Sequence, residues 1–211
     1  MNKEIFILGV GHSTPLTMEL AEACGYTVSG LYHYAPGKTG EMMYGVQIIG
    51  THDDLLAQDS LGGKQFALSM GDNAIRARLF TLIKEKGGVF PTLIHPTCII
   101  SPRSSIGEGT HMDPYCCVQA NAQIGNNCMV RPYVLIGHNT TIGDNSFVAA
   151  HSTVGAYISI GENVFMGLSS VAISSKVKTI GSHAVIGAGA VVNRDVDECA
   201  VVVGNPAKRI K

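Results

Sequence analysis

The sequence predicts a small α/β sheet followed by a parallel β-helix, on three observations. An aliphatic residue or Met occupies every sixth position from Ile94 to Met166, thirteen in succession. Glycines stand beside every third of these, at Gly107, Gly125, Gly143 and Gly161. Before residue 90 the pattern changes: apolar runs alternate with stretches of helical periodicity. With about one-third of residues apolar, chance gives the six-residue beat roughly once in a million.

Composition narrows the function classes. The chain has 211 residues, 15 basic and 16 acidic side chains, and a formal net charge of −1. That balance offers no electrostatic footprint for nucleic acid or for an anionic membrane. Glycine is abundant at 25 residues and Trp is absent, which suits a solenoid built on tight turns and small aliphatics. The segment MNKEIFILGVGHSTP lacks the apolar core of a signal peptide, and no apolar run is long enough to span a bilayer. Six cysteines, with no CxxC pair, read as reduced thiols of a cytoplasmic protein.

The elements follow in chain order. EIFILGVG is a buried strand ending in glycines. Ser13 or Thr14 can cap a helix with Pro15 in its first turn. Leu16, Leu20 and Cys24 supply that helix's apolar face, and Gly25 ends it. TVSGLY is a second strand and FALSM (66–70) a third. GDNAIRARLFTLIKEKGG is a second helix, with Ile75, Leu79 and Ile83 on one face. Strands alternating with helices predict a small Rossmann-like parallel sheet. The domain boundary is expected near Gly88 to Pro91, giving domains 1–90 and 91–211.

From about residue 92 to 203 the repeat governs. Each hexapeptide is a short strand whose aliphatic residue points inward, and three hexapeptides make one coil of eighteen residues. Neighbouring coils pair as parallel strands about 4.8 Å apart. Gly, Asn and Asp at the corners are expected to supply left-handed backbone. The beat breaks at AISSKVKT, where two residues are inserted, and resumes at Ile180, Ile186 and Val192.

The stretches FILGVGHS, MGDNAIRARL, LIHPTCIISPRSSIGEG, IGHNTTIGDNSFV and GAGAVV…VVVGNPAKRI resemble the bacterial hexapeptide-repeat sugar acetyltransferases. That family includes sialic-acid O-acetyltransferases and nucleotide-sugar 4-amino N-acetyltransferases. The resemblance implies a left-handed β-helix, acetyl-CoA as co-substrate, and a homotrimer with the coenzyme between neighbouring β-helices; no metal is expected, since His111 and His151 are too scattered in coil position to converge with Cys117. It makes residues 1–90 the lobe for a nucleotide-sugar acceptor. It also implies surface-polysaccharide biosynthesis.

By the same resemblance His138 is the catalytic histidine. The residues add their own support. The coil-to-coil column through it is Pro102, Ala120, His138, Ala156, so its neighbours are small and leave room for a substrate. An imidazole changes charge near neutral pH, as a general base must. A solvent-facing corner histidine is the bland alternative. Asn139 stands where the family often has an acid; an amide can orient the imidazole but adds no charge. Arg131 replaces a common Asn, and Phe147 stands where a second family histidine falls. Family position places the oxyanion near the backbone of Gly155 or Ala156. It sets the coenzyme against Gly155, Ala156, Gly167, Lys176, Gly187, Pro206 and Lys208. Lys176 and Lys178 either meet coenzyme phosphates or are solvated.

In the first lobe, Gly9, Gly11 and His12 lie between a strand and a helix, where backbone can approach a phosphate or simply make a tight turn. The full GxGxxG pattern is missing, which argues against a nicotinamide dinucleotide. The family's acidic pair after the second strand is replaced by Tyr32, His33 and Tyr34, which can stack on a base or cover the sheet edge. Asn73 is either a nucleotide-sugar contact or a helix cap. Arg131 is assigned to the acceptor. Cys98 and Cys116 lie one coil apart and are expected as free core thiols. The preferred function is acetyl transfer from acetyl-CoA to the amine of a nucleotide-linked sugar. Acetylation of a sugar hydroxyl and a non-catalytic trimeric scaffold are the alternatives.

Overall fold

The computed structural model describes residues 3–211. They form two compact units, the first ending at Leu93 and the second running from Ile94 to Lys211.

The first unit opens with β1 (Lys3–Leu8), α1 (Thr14–Ala23) and β2 (Tyr26–His33). It continues with β3 (Met42–Met43), β4 (Val46–Thr51), α2 (His52–Leu56), β5 (Phe66–Leu68) and α3 (Asn73–Glu85). The sheet order is β3-β4-β2-β1-β5. All pairs are parallel except β3 with β4, so the sheet is mixed rather than wholly parallel. The antiparallel hairpin is unanticipated by the strand–helix alternation. It turns on Tyr44 and Gly45, both at positive φ, as a two-residue hairpin loop requires. Thr51 and Asp54 close α2 with a reciprocal capping box.

Both helix faces differ from the periodicity expected. On α1 the buried residues are Thr14, Thr17, Met18, Leu20 and Ala21, and Leu16 is 47% exposed. On α3 they are Arg76, Leu79 and Ile83, and Ile75 is 51% exposed. An arginine therefore takes the inward position that Ile75 was expected to hold. Its aliphatic stem is compatible with burial where the guanidinium is bonded, here to the Asn73 amide oxygen at 2.9 Å.

The second unit is the left-handed β-helix, with two-residue strands stacked into three parallel faces. One face runs from Ile99–Ile100 through Leu135–Ile136 to Val191–Val192. A second runs from Ser105–Ile106 through Thr141–Ile142 to Thr179–Ile180. The third runs from Leu93–Ile94 to Lys208–Arg209, and its last pair is antiparallel. Registers advance by eighteen residues, then by twenty across the insertion, where Ile160 pairs with Ile180. The inward aliphatics form one continuous core.

The corners meet the expectation for asparagine but not for the column glycines. The left-handed residues recur every six positions, and they include Tyr133, Asn139, Asn145, His151 and Tyr157. The column glycines are not among them. They are glycine because a Cβ would strike the next coil: at Gly143 it would lie 2.6 Å from the Glu162 nitrogen and from the Gly161 carbonyl carbon. Several corner carbonyls are met from the coil before by a Thr, Ser or Cys side chain two positions before an inward aliphatic. Thr140 donates to the Gly155 carbonyl at 2.7 Å, Ser152 to Gly167 at 2.9 Å and Cys128 to Gly143 at 3.3 Å. Cys98 and Cys116 do the same with Asp113 and Arg131, at 3.1 Å each, and both are free thiols. Every buried carbonyl so bonded is one fewer unsatisfied group in the stack.

Gly143→Ala is expected to lower stability by about 2–3 kcal/mol through overpacking, whereas Gly11→Ala, with open space at its Cβ, stays within about 0.5 kcal/mol. Denaturant unfolding of the two variants checks the contrast.

Candidate functional site

His138 sits at the corner between the strands Leu135–Ile136 and Thr141–Ile142. Gly137 before it is held bare by the next coil, where a Cβ would lie 2.6 Å from the Ala156 nitrogen. Asn139 after it takes the left-handed conformation at φ 57°. Asparagine tolerates that backbone better than most side chains, so Asn139 has a conformational reason as well as a chemical one. The residue between these two fixed points projects to solvent, and here it is the imidazole.

The imidazole is tethered. Its Nδ1 lies 3.0 Å from the Asn139 amide oxygen. That oxygen can only accept, so the contact requires the proton on Nδ1 and leaves Nε2 as the basic nitrogen. The His138 backbone N–H donates to Gln119 Oε1 at 3.1 Å. The Tyr157 ring stands perpendicular to the imidazole, with centroids 5.0 Å apart.

Ala156 lies one coil below His138 and carries no bulk to fill the space. The Gly155 N–H is used in the strand ladder, on the Ala172 carbonyl at 2.9 Å. The Ala156 N–H is held by Ser174 Oγ at 2.8 Å, on an exposed hydroxyl that can rotate away. Of the two amides expected near an oxyanion, Ala156 is therefore the one a ligand oxygen could claim.

The other coenzyme-side residues divide. Gly155 and Gly167 are required by stacking, with virtual Cβ contacts of 2.5 and 2.6 Å to the backbone of the next coil, whereas at Gly187 the 2.7 Å contact is to a Val203 methyl group. Lys176 is exposed on the inserted loop. Pro206 follows a cis Asn205–Pro206 peptide in the last turn. Lys208 lines a cavity of about 220 Å³ at the C-terminal end with Arg194, Asp195, Asp197 and Arg209. Arg209 is paired with Asp197 at 3.0 Å.

Arg131 has a structural partner. Its guanidinium lies 2.9 Å from the Asp113 carboxylate, with both side chains largely buried. Burial pushes the Asp113 carboxyl up, and the nearby Arg131 and His95 charges pull it back. Whatever Arg131 contributes to an acceptor, it first neutralises a buried acid.

In the first unit the loops after β1, β2 and β5 leave the same edge of the parallel sheet, where such folds bind ligands. Gly9 needs to be glycine, at φ 92° and with Met70 Cε only 2.5 Å from a virtual Cβ. Thr14 and Ser69 organise this loop. Thr14 Oγ1 accepts from the Gly11 N–H at 2.8 Å, and both hydroxyls donate to the Gly9 carbonyl. With Gly9 N–H on the Tyr32 carbonyl, both glycine amides are occupied rather than free for a phosphate. His12 is exposed beside them.

Tyr32 requires a correction. It is 7% exposed, packed near Phe6, with its phenol pushed up by burial, and it cannot offer a face to a ligand. Tyr34 is 72% exposed and stacks on His33 at 4.4 Å, so it is the available aromatic. Burial lowers the neighbouring His52. Asp72, not Asn73, caps α3, accepting from the Ile75 N–H at 2.9 Å. Phe147 stacks on Phe165 at 5.2 Å along an outer face. Sequence reasoning missed Gln119, Tyr157 and Ser174. The coil period names two of them, since Tyr157 is eighteen beyond Asn139 and Ser174 eighteen beyond Ala156.

The family model "Bacterial transferase hexapeptide (six repeats)" matches residues 121–156, which contain His138. A search of curated sequences finds no match. Among solved structures, perosamine N-acetyltransferase from Caulobacter crescentus, a histidine-substituted variant with CoA and GDP-perosamine, is similar at 26% identity and TM-score 0.91. That match covers 99% of this chain and 97% of the other. The acetyltransferase domain of PglB from Neisseria gonorrhoeae is similar at 27% identity and TM-score 0.88, covering 99% and 100%. WeeI from Acinetobacter baumannii shares the fold at 22% identity and TM-score 0.81, over 99% and 100%.

Arg131→Leu is expected to cost about 3–5 kcal/mol, because it strands the buried Asp113 carboxylate. Adding Asp113→Asn should recover most of that loss. Thermal unfolding of the single and double variants checks it.

Proposed function

We propose that this chain transfers the acetyl group of acetyl-CoA to the amine of a nucleotide-linked amino sugar. The observation that carries the reading is His138, an exposed imidazole with Nδ1 tied to Asn139 and Nε2 free, beside a bare Ala156 corner. The similarity supports it along nearly the whole chain. One similar structure is an N-acetyltransferase with CoA and GDP-perosamine, and another is an acetyltransferase domain with acetyl-CoA. Histidine-to-asparagine and histidine-to-alanine variants of the perosamine enzyme are described in complex with both ligands.

In this reading the sugar amine attacks the thioester carbonyl, and His138 Nε2 accepts its proton. The Ala156 N–H, released from Ser174 Oγ, donates to the developing oxyanion. The C–S bond then breaks, and the imidazolium returns the proton to the departing CoA thiolate. The first unit holds the nucleotide portion through His12, Tyr34 and Asn73. Lys176 and Lys208 serve the coenzyme's phosphates. Free thiols fit a reducing cytoplasm. No described helix is long and apolar enough to cross a membrane.

A homotrimer belongs to the same proposal. The face led by Ser105 points Ser, Gln and Thr outward, and Thr141 bonds Ser159 along it at 3.1 Å. The face led by Ile99 points Ile99, Cys117, Leu135, Thr153, Val171 and Val191 outward instead, apolar except at Thr153. An apolar row of that length marks a contact surface.

Thiol release from acetyl-CoA, with UDP-, dTDP- and GDP-linked 4-amino sugars and free sialic acid, tests the reading. His138→Ala should lose about 10²–10⁴-fold in rate with an amino-sugar nucleotide. Release with a hydroxyl acceptor alone, or an unaffected variant, would contradict it. Leu135→Glu should turn trimers into monomers in analytical ultracentrifugation.

A further inference from the structure

We propose that Tyr157 is a positioning residue for the general base, holding the His138 ring in the orientation that presents Nε2. The inference rests on the acetyl-transfer reading above and adds a residue to it. The left-handed corners along this edge are Asn121, Asn139, Tyr157 and Ser175, at φ 60°, 57°, 60° and 66°. Asparagine suits such backbone, and a bulky aromatic there is uncommon. The ring is not placed there to fill the core, for Tyr157 is 67% exposed.

Its geometry differs from that of the other tyrosines in left-handed corners of the β-helix. Tyr115, Tyr133 and His151 occupy one column and stack nearly parallel, 5.0 and 4.9 Å apart with interplanar angles of 15° and 7°. Tyr157 has no aromatic above or below it in its column, where Asn139 and Ser175 stand. It turns instead edge-to-face against His138, at 86°. The backbone fixes the pair, because the Tyr157 N–H donates to the His138 carbonyl at 3.1 Å.

An exposed imidazole otherwise hops between rotamers in picoseconds to nanoseconds. The Asn139 contact is one exposed hydrogen bond between adjacent residues, and it can follow the ring as it turns. A perpendicular phenol wall blocks rotation on its own side. Together the two constraints leave one ring orientation, with the proton on Nδ1. Holding a reacting group in place acts on the rate of the bound complex rather than on ligand affinity.

Two variants test this. Tyr157→Asn removes the ring but keeps a residue that its own column already uses at the same φ. Tyr157→Phe keeps the ring and removes the hydroxyl. With acetyl-CoA and a GDP-linked 4-amino sugar, Tyr157→Asn should lower kcat about tenfold and leave both KM values within about twofold. Tyr157→Phe should restore kcat. The ¹⁵N resonances of the His138 ring should show a single Nδ1–H tautomer in the wild-type and Phe proteins, and a mixture in Tyr157→Asn. An unchanged kcat, a raised KM at constant kcat, or a Phe variant as poor as Asn would overturn the inference. If the wild-type protein does not turn over, the acetyl-transfer reading fails. The ring resonances then still judge Tyr157, and an unaltered tautomer in Tyr157→Asn overturns its positioning role.

Discussion

At every turn of the β-helix the backbone of one coil sits directly on the next at strand spacing, and the rest of the second unit follows from that approach. Gly125, Gly137, Gly143 and Gly161 are bare because the next coil's backbone occupies the place of a Cβ. The same approach buries corner carbonyls, and small donors such as Thr110, Thr140, Ser146 and Ser152 satisfy them across the coil boundary. Core aliphatics, stacked glycines and inward hydroxyls therefore form one periodic device. None of those three positions has freedom to carry chemistry.

What remains free in each hexapeptide is the residue between the stacked glycine and the left-handed corner. At several corners it caps the amide one coil before, as Asn126 caps the Glu108 N–H at 2.9 Å, Asp144 the Asn126 N–H at 2.7 Å and Ser182 the Glu162 N–H at 3.3 Å. At one corner it is His138, and Ala156 in the coil below has no side-chain oxygen to cap it. Gln119 caps the His138 amide from the coil above instead. The exchange keeps the backbone satisfied and leaves open space below the imidazole. A rigid solenoid thus holds a titratable ring at a defined place, with Asn139 choosing its tautomer.

The repeat was legible because a coil-stacked core tolerates almost nothing but an aliphatic at its inward position. The insertion after Ala172 was legible for the same reason. The role of the column glycines was not, since a sequence does not distinguish left-handed backbone from steric exclusion by a neighbouring chain. In the first unit the strands β1, β2 and β5 stood out as apolar runs. The β3–β4 hairpin did not, because its Tyr44–Gly45 turn lacks the Asn-Gly or Asp-Gly signal. Helix faces slipped where a polar residue is the buried one, as with Thr14, Thr17 and Arg76. At the site, His138 was visible as a departure from the repeat, and Asn139 stood out only against the family it resembles. Tyr157 and Ser174 emerge only when the chain is wound into eighteen-residue coils. Tyr32 and Tyr34 are two residues apart on one strand end, and only burial tells which of them a ligand can reach.

The most direct test of the account is the chemical identity of the product. Incubation with acetyl-CoA carrying ¹³C at the acetyl carbonyl and a GDP-linked 4-amino sugar, followed by ¹³C NMR, reports the bond formed. The account predicts an amide carbonyl coupled to the sugar nitrogen, with free CoA in equal amount. An ester carbonyl on a sugar hydroxyl, or labelled acetyl-CoA left intact beside every acceptor, would contradict it.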